Sequence, residues 1–217
     1  MNFIFFSLRI RNPKYFLVVI AVSAVLYFYS CSEQRQDSPK STGEISFNID
    51  TTTLGDKIRL DKIGVEYHPP KNWELISGSF RDAMSTVDAS ISSDEQKIFF
   101  DPINFHFDST TKSLLSVGSF EAPGKADDFN SNIIFYESLL YEKYDSSQIR
   151  KGEFVKDNIA VTQYLIQVPE QVIFKLLFEN GKGKFVEFDY LTQRNAYSGE
   201  LKSIESSIGS IILTNHQ

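Results

Sequence analysis

Cys31 carries the only thiol in the chain, and a lone thiol can serve as a nucleophile, a metal ligand or a site of covalent modification. It directly follows an uncharged, mostly apolar run over residues 15–30, which comes after Arg9, Arg11 and Lys14. A basic segment, an apolar segment and a small residue at the cleavage point are typical of a secretory signal. The sequence therefore predicts that the chain beyond Cys31 is exported and that the thiol is used at the processing site.

The residues around this thiol resemble the signal of bacterial lipoproteins, with Ser30 in the small-residue position directly before Cys31. In that family a diacylglycerol is attached to the cysteine, and a dedicated peptidase cuts just before it. The resemblance implies lipidation of Cys31 and membrane attachment through acyl chains such as palmitate. Because position 32 is Ser and not Asp, the resemblance favours the outer membrane, with the folded part in the periplasm or at the cell surface.

Two other interpretations of the N-terminal segment remain open. The uncharged stretch 15–32 has 18 residues, which is at the short edge of what spans a hydrocarbon core of ~30 Å. It could be kept as an anchor helix, with its basic end in the cytoplasm. Cys31 could also follow an ordinary signal peptide by chance. All three interpretations place residues 32–217 outside the cytoplasm.

The other side chains that could do chemistry are scattered along the chain. The three histidines, His68, His106 and His216, belong to no His-x-x-x-His or Glu-x-x-His pair that would favour a zinc site. The glycine- and lysine-rich segment 181–184 lacks the spacing of a phosphate-binding loop, and no Gly-x-Ser-x-Gly elbow is present. We therefore predict no catalytic residues, no metal site and no cofactor, and we expect that the protein is not an enzyme.

The charge balance limits the partners. The whole chain has a net charge of −6, and residues 1–30 hold three basic and no acidic residues, so the remainder carries −9. An acidic chain is a poor ligand for nucleic acid, whose affinity depends on neutralising phosphates with Lys and Arg. We expect a membrane partner through the lipid anchor and an envelope protein partner, but no nucleic acid.

The composition also divides the chain. Residues 32–43 include no apolar residue, which predicts a disordered tether. We therefore predict a signal peptide over 1–30, an acylated cysteine with its tether over 31–43, and a single domain over 44–217. A domain of this length can bury a core without disulfides or metals.

The spacing of apolar residues predicts the elements of this domain. Alternation with a period of two indicates strands, and recurrence every three or four residues indicates helices. The apolar alternation of Val172, Phe174, Leu176 and Phe178 predicts the core face of a central strand. In the first half of the domain we predict strands at 58–60, 63–67, 103–107 and 115–117, with a turn at 108–112 between the last two, and a helix over 80–91. A second helix runs from Asp127 or Asp128 to Tyr144, and four strands follow between 149 and 190, with turns at 157–158 and 180–183. The closing helix starts at Ser198 and has Leu201, Ile204, Ile208, Ile211 and Ile212 on one stripe.

Short connections between neighbouring strands indicate antiparallel pairing. The fold class predicted is therefore α+β, with an antiparallel β-sheet flanked by helices in an α/β/α sandwich.

Three segments resemble the PsbP-like family: GVEYHPPKNW at 64–73, IFFDP at 98–102 and SIESSIGSI at 203–211. The family is named for an extrinsic subunit of photosystem II and includes a Ran-binding nuclear import factor. The resemblance implies a PsbP-like domain over 44–217. Its members bind other proteins or assist assembly, and no catalytic residues come with the resemblance.

Two functions of different classes follow from these observations. The first is a non-catalytic, membrane-anchored envelope lipoprotein that binds a protein or assists assembly. The alternative is a small-ligand or metal-binding protein, or an enzyme with dispersed active-site residues. For the first function, the proline-containing loops 68–73 and 122–127 are the best candidates for the contact surface, because proline limits the entropy lost on binding. The alternative is that these loops only reverse the direction of the chain. Trp73 is predicted to lie in the core or at its rim.

Overall fold

The computed structural model describes residues 47–76, 92–93, 96–97, 99–121 and 128–214. Cys31, the tether, the helix predicted over 80–91, loop 122–127 and His216 lie outside these ranges. The described elements are β1 (Ile58–Leu60), β2 (Val65–Tyr67), β3 (Glu74–Leu75), β4 (Ser92–Ser93), β5 (Gln96–Lys97), β6 (Phe99–Asp108), β7 (Ser113–Glu121), α1 (Phe129–Lys143), β8 (Ile149–Lys156), β9 (Ile159–Gln167), β10 (Gln171–Glu179), β11 (Phe185–Gln193), α2 (Tyr197–Gly209) and β12 (Ile212–Leu213), with 3-10 turns at Thr51–Thr53 and Ser146–Gln148.

A seven-stranded antiparallel sheet forms the centre of the domain, in the order β3-β6-β7-β11-β10-β9-β8. A small three-stranded sheet, β1-β2-β12, and a β4–β5 pair accompany it. The α+β fold class and the antiparallel pairing predicted from the sequence are confirmed. Within the described ranges, no helix has the length and apolar character needed to cross a membrane.

The hairpin turns form where the sequence predicts them. Asp157 and Asn158 have φ values of 48° and 66°, and Gly181 and Gly183 have φ values of 72° and 70°. These left-handed conformations let a short turn match the twist of its two strands. Asn180 also closes its own turn, because its side-chain oxygen accepts hydrogen bonds from two backbone N–H groups of the turn.

Strand β6 continues through a proline. Because Pro102 has no N–H to donate, the register with β7 shifts between Pro102 and Asn104, as in a β-bulge. The partner strand places Gly118 directly against the bulge, where a Cβ atom would lie 2.4 Å from the carbonyl oxygen of Asp101. This close approach requires glycine on β7.

Each face of the sheet carries its own core. The face packed under α2 includes the predicted set Val172, Phe174, Leu176 and Phe178, which are all buried. The opposite face is covered by α1, whose N-terminus is capped by Asp128 accepting a hydrogen bond from the Ser131 N–H at 2.9 Å. Strand β10 is therefore buried on both faces.

The predicted stripe of the closing helix is wrong at its end. Helix α2 begins at Tyr197 and ends at Gly209, so Ile211 and Ile212 both lie beyond it. Ile212 instead belongs to β12, which pairs with β2, and its side chain is 43% exposed. Ile204 and Ile208 are buried on the helix as predicted, and Ile211 is buried just after the helix ends.

Candidate functional site

Loop 68–73 follows β2 and is fixed to the C-terminal end of α2. The N–H of His68 donates to Ser210 Oγ at 2.8 Å, and Ser207 Oγ donates to the His68 carbonyl oxygen at 2.6 Å. Pro69 and Pro70, which follow, are buried. The part of this predicted contact loop that reaches solvent is therefore Lys71-Asn72, and not the proline pair.

Trp73 ends the loop and is only 3% exposed, which confirms its predicted place in the core or at its rim. Its Nε1–H donates to Glu200 Oε2 at 3.1 Å. The Ser203 hydroxyl lies 3.2 Å from the same oxygen, but its shorter hydrogen bond is to the Glu200 carbonyl oxygen, at 2.7 Å. The indole N–H of Trp73 therefore fixes the carboxylate of Glu200, which projects from α2 and is half-buried.

The β6–β7 turn faces this carboxylate and is shaped by Asp108. The Asp108 carboxylate accepts from the Thr110 N–H at 2.8 Å and from Thr111 Oγ1 at 3.0 Å. Burial raises the pKa of Asp108, but the hydrogen bonds from Thr110 and Thr111 outweigh it and hold the pKa below its usual value. The charged form of Asp108 thus maintains the turn.

These parts enclose an open cleft of about 500 Å³ beside the edge strand β3, and we call it the edge cleft. Its walls are Lys71, Asn72, Glu74, Phe107, the turn 108–111 and Glu200. Glu74 and Phe107 are directly opposite each other in the β3–β6 register. The cleft therefore combines one half-buried aromatic ring with three carboxylates and one ammonium group.

The histidines do not contribute to the edge cleft. His106 is 2% exposed, and its Nε2 lies 2.9 Å from the hydroxyl oxygen of Tyr67. Burial lowers the pKa of His106 to about 4, and a hydrogen bond with the Trp73 backbone opposes this only in part. The side chain of His68 is turned to the Gly55 carbonyl oxygen, at 2.9 Å from Nδ1. Neither histidine lies among the residues that line the cleft.

No group of three or more His, Cys, Asp and Glu side chains within the described part of the chain is arranged to hold a metal ion. Ser109, Thr110 and Thr111 bring hydroxyl groups to the cleft, and the acidic side chains beside them are carboxylates. No histidine is among the lining residues of the cleft. The chemistry that this arrangement supports directly is recognition, through hydrogen bonds and charge.

A second polar cluster, which the sequence patterns did not reveal, lies between the sheet and α1. Lys175 Nζ is 3.1 Å from Glu187 Oε1 and is also paired with Asp189, while the Tyr136 hydroxyl donates to Glu187 Oε1 at 2.5 Å. Burial alone would lower the pKa of Lys175, but the negative charges of Asp189 and Glu187 hold it well above its usual value. The cluster is covered by α1, so its role is internal.

Comparison with known proteins gives a likeness of fold. No protein-family model matches the chain, and no curated protein matches it. Among solved structures, the chain is similar to cyanobacterial PsbP (CyanoP) from Synechocystis sp. PCC 6803, whose structure was determined in solution. The identity is 15% and the TM-score 0.48, over 79% of this chain and 98% of that chain. At this identity the likeness concerns the fold alone.

Proposed function

We propose that this chain is a cell-envelope lipoprotein, anchored through acylated Cys31 in the outer membrane, that binds a protein partner at the edge cleft and catalyses no reaction. The proposal rests mainly on one observation, the open polar cleft between loop 68–73, the β6–β7 turn and Glu200. The anchor rests on the sequence around Cys31 alone.

The form of the edge cleft favours a macromolecule over a small molecule. Small-molecule sites are commonly enclosed and lined mostly by apolar and aromatic side chains. The edge cleft is open and lined mostly by polar and charged groups, with Phe107 as the single ring among its lining residues. Polar groups around a small apolar centre are typical of protein–protein contacts.

Site-specific photo-crosslinking in native membranes tests this role. A photoreactive residue at the exposed Asn72 should yield one defined crosslinked band. The matched control is Asn130, which is also an exposed asparagine but lies on α1 and does not line the cleft. It should give no band. The same bands from both positions, or no band from Asn72, would contradict binding of a protein at this cleft.

A further inference from the structure

We infer that the edge cleft recognises a basic segment of its protein partner, with a Lys or Arg side chain lying on Phe107 and its charged end between Glu74 and Glu200. This inference rests on the proposed function, because it names the chemistry of the partner at the same cleft.

The first argument is the charge of the walls. Glu74, Asp108 and Glu200 contribute three carboxylates, against the single ammonium group of Lys71. The chain as a whole has a net charge of −6, so its long-range field also attracts cations. An acidic partner would meet repulsion both at a distance and in the cleft.

The second argument is that the Glu200 carboxylate is already held in position. Its Oε2 accepts a hydrogen bond at 3.1 Å from Nε1 of Trp73, whose side chain is itself buried. An acceptor that is already fixed loses little conformational entropy when it binds a cation. Because Glu200 is half-buried, an ion pair with it is screened less by salt than one on the open surface.

The third argument is the position of Phe107 beside Glu74. The two residues are register partners on adjacent strands, so an apolar ring and a carboxylate lie side by side. Lys and Arg have the complementary form, with an apolar stem and a charged end. A guanidinium or ammonium group can also be held over an aromatic face.

The chain provides its own reporter for this site. Trp73 is the only tryptophan in the sequence, and it is bonded directly to Glu200. A cation that binds Glu200 should therefore change the fluorescence of Trp73. The probe is a hexalysine peptide added to the full chain in neutral detergent micelles, with hexaglutamate as the peptide control.

We expect a saturable change in Trp73 emission with hexalysine and none with hexaglutamate. Glu74→Gln and Glu200→Gln should each weaken the affinity, measured by titration calorimetry, by about fivefold, the factor expected for one partly exposed ion pair. The matched control is Glu205→Gln, which removes the same charge from an exposed position on α2 that does not line the cleft. It should change the affinity by less than about twofold.

Equal weakening by all three variants would show attraction to an acidic chain in general, and it would overturn the inference. An absence of saturable hexalysine binding would also overturn it. Neither result affects the crosslinking experiment at Asn72, which tests separately whether a protein binds at the cleft. If Asn72 crosslinks a protein while hexalysine fails to bind, the partner is recognised without a basic segment.

Discussion

At the scale of single residues, burial decides what His106 can do. The imidazole is enclosed beside the hydroxyl of Tyr67 and is neutral at pH 7, because burial lowers its pKa to about 4. In an unfolded chain the pKa of histidine is near 6.5. The two states therefore take up a proton at different pH values, and the stability of the fold must depend on pH.

The contribution of His106 should be fully present above pH 6.5 and should be lost as the pH falls towards 4. Between these pH values the imidazole of His106 binds a proton in the unfolded state but stays neutral in the folded state. We expect the free energy of unfolding, measured with urea, to fall by up to about 3 kcal/mol across this window. The variant His106→Gln should no longer lose stability in this pH range. The control variant His68→Gln, at a half-buried position, should lose as much stability as the wild type. The same pH profile for wild type and His106→Gln would contradict the assignment.

The buried ionic cluster leads to a second prediction. Lys175→Met removes the ammonium group from two buried carboxylates, Glu187 and Asp189. Breaking a buried ion pair on one side commonly costs about 3–5 kcal/mol. Denaturant unfolding should show a loss of that size, whereas Lys182→Met on the exposed turn should change stability by less than about 0.5 kcal/mol. A loss below about 1 kcal/mol for Lys175→Met would mean that the cluster is hydrated.

Residues with a local role could be predicted, and those with a long-range role could not. Asn158 acts within its own turn, so its type was sufficient to predict that turn. The cap of α1 was predicted as Asp127 or Asp128, and the structure has Asp128. Lys175 resembles a solvent-facing residue in an alternating strand, and its burial depends on α1 and on β11. The sequence did contain one sign of this burial: Ile173 and Leu177, which flank Lys175 on the same face of β10, are both apolar.

At the scale of elements, the edge cleft was only half predictable. Loop 68–73 and the turn at 108–112 were both identifiable from proline and turn-forming residues. Their meeting with Glu200 was not, since Trp73 and Glu200 are 127 positions apart in the chain. Sequence patterns specify each hairpin, but the order in which hairpins join the sheet depends on packing across the whole core.

The bulge in β6 gives a prediction about β7. A methyl group at position 118 would lie 2.4 Å from the Asp101 carbonyl oxygen and 2.8 Å from the Phe100 ring. Gly118→Ala should therefore destabilise the fold by roughly 1–3 kcal/mol, as overpacking does. Gly152→Ala on β8 is the matched control, because a methyl group there would have no neighbour within 4 Å, and it should be neutral or slightly stabilising. Equal thermal midpoints for both variants would argue against the bulge.

At the scale of the whole molecule, acylation of Cys31 is the proposed means by which the domain is attached to a membrane. If Cys31 is acylated, metabolic labelling with an alkyne fatty acid should mark the wild-type chain and spare Cys31→Ala. A retained anchor helix or an ordinary signal peptide predicts no label on either chain. Label on both chains would place the acyl group elsewhere and contradict lipidation at Cys31.

The hydrogen bonds that join His68 to Ser207 and Ser210 have a consequence for the speed of binding. They connect one wall of the edge cleft to α2, which carries the other wall, so the two walls move together. The proposed partner would then meet an open cleft at every encounter, and no conformational change would have to precede binding. In stopped-flow mixing, the observed association rate should rise linearly with partner concentration and show no plateau.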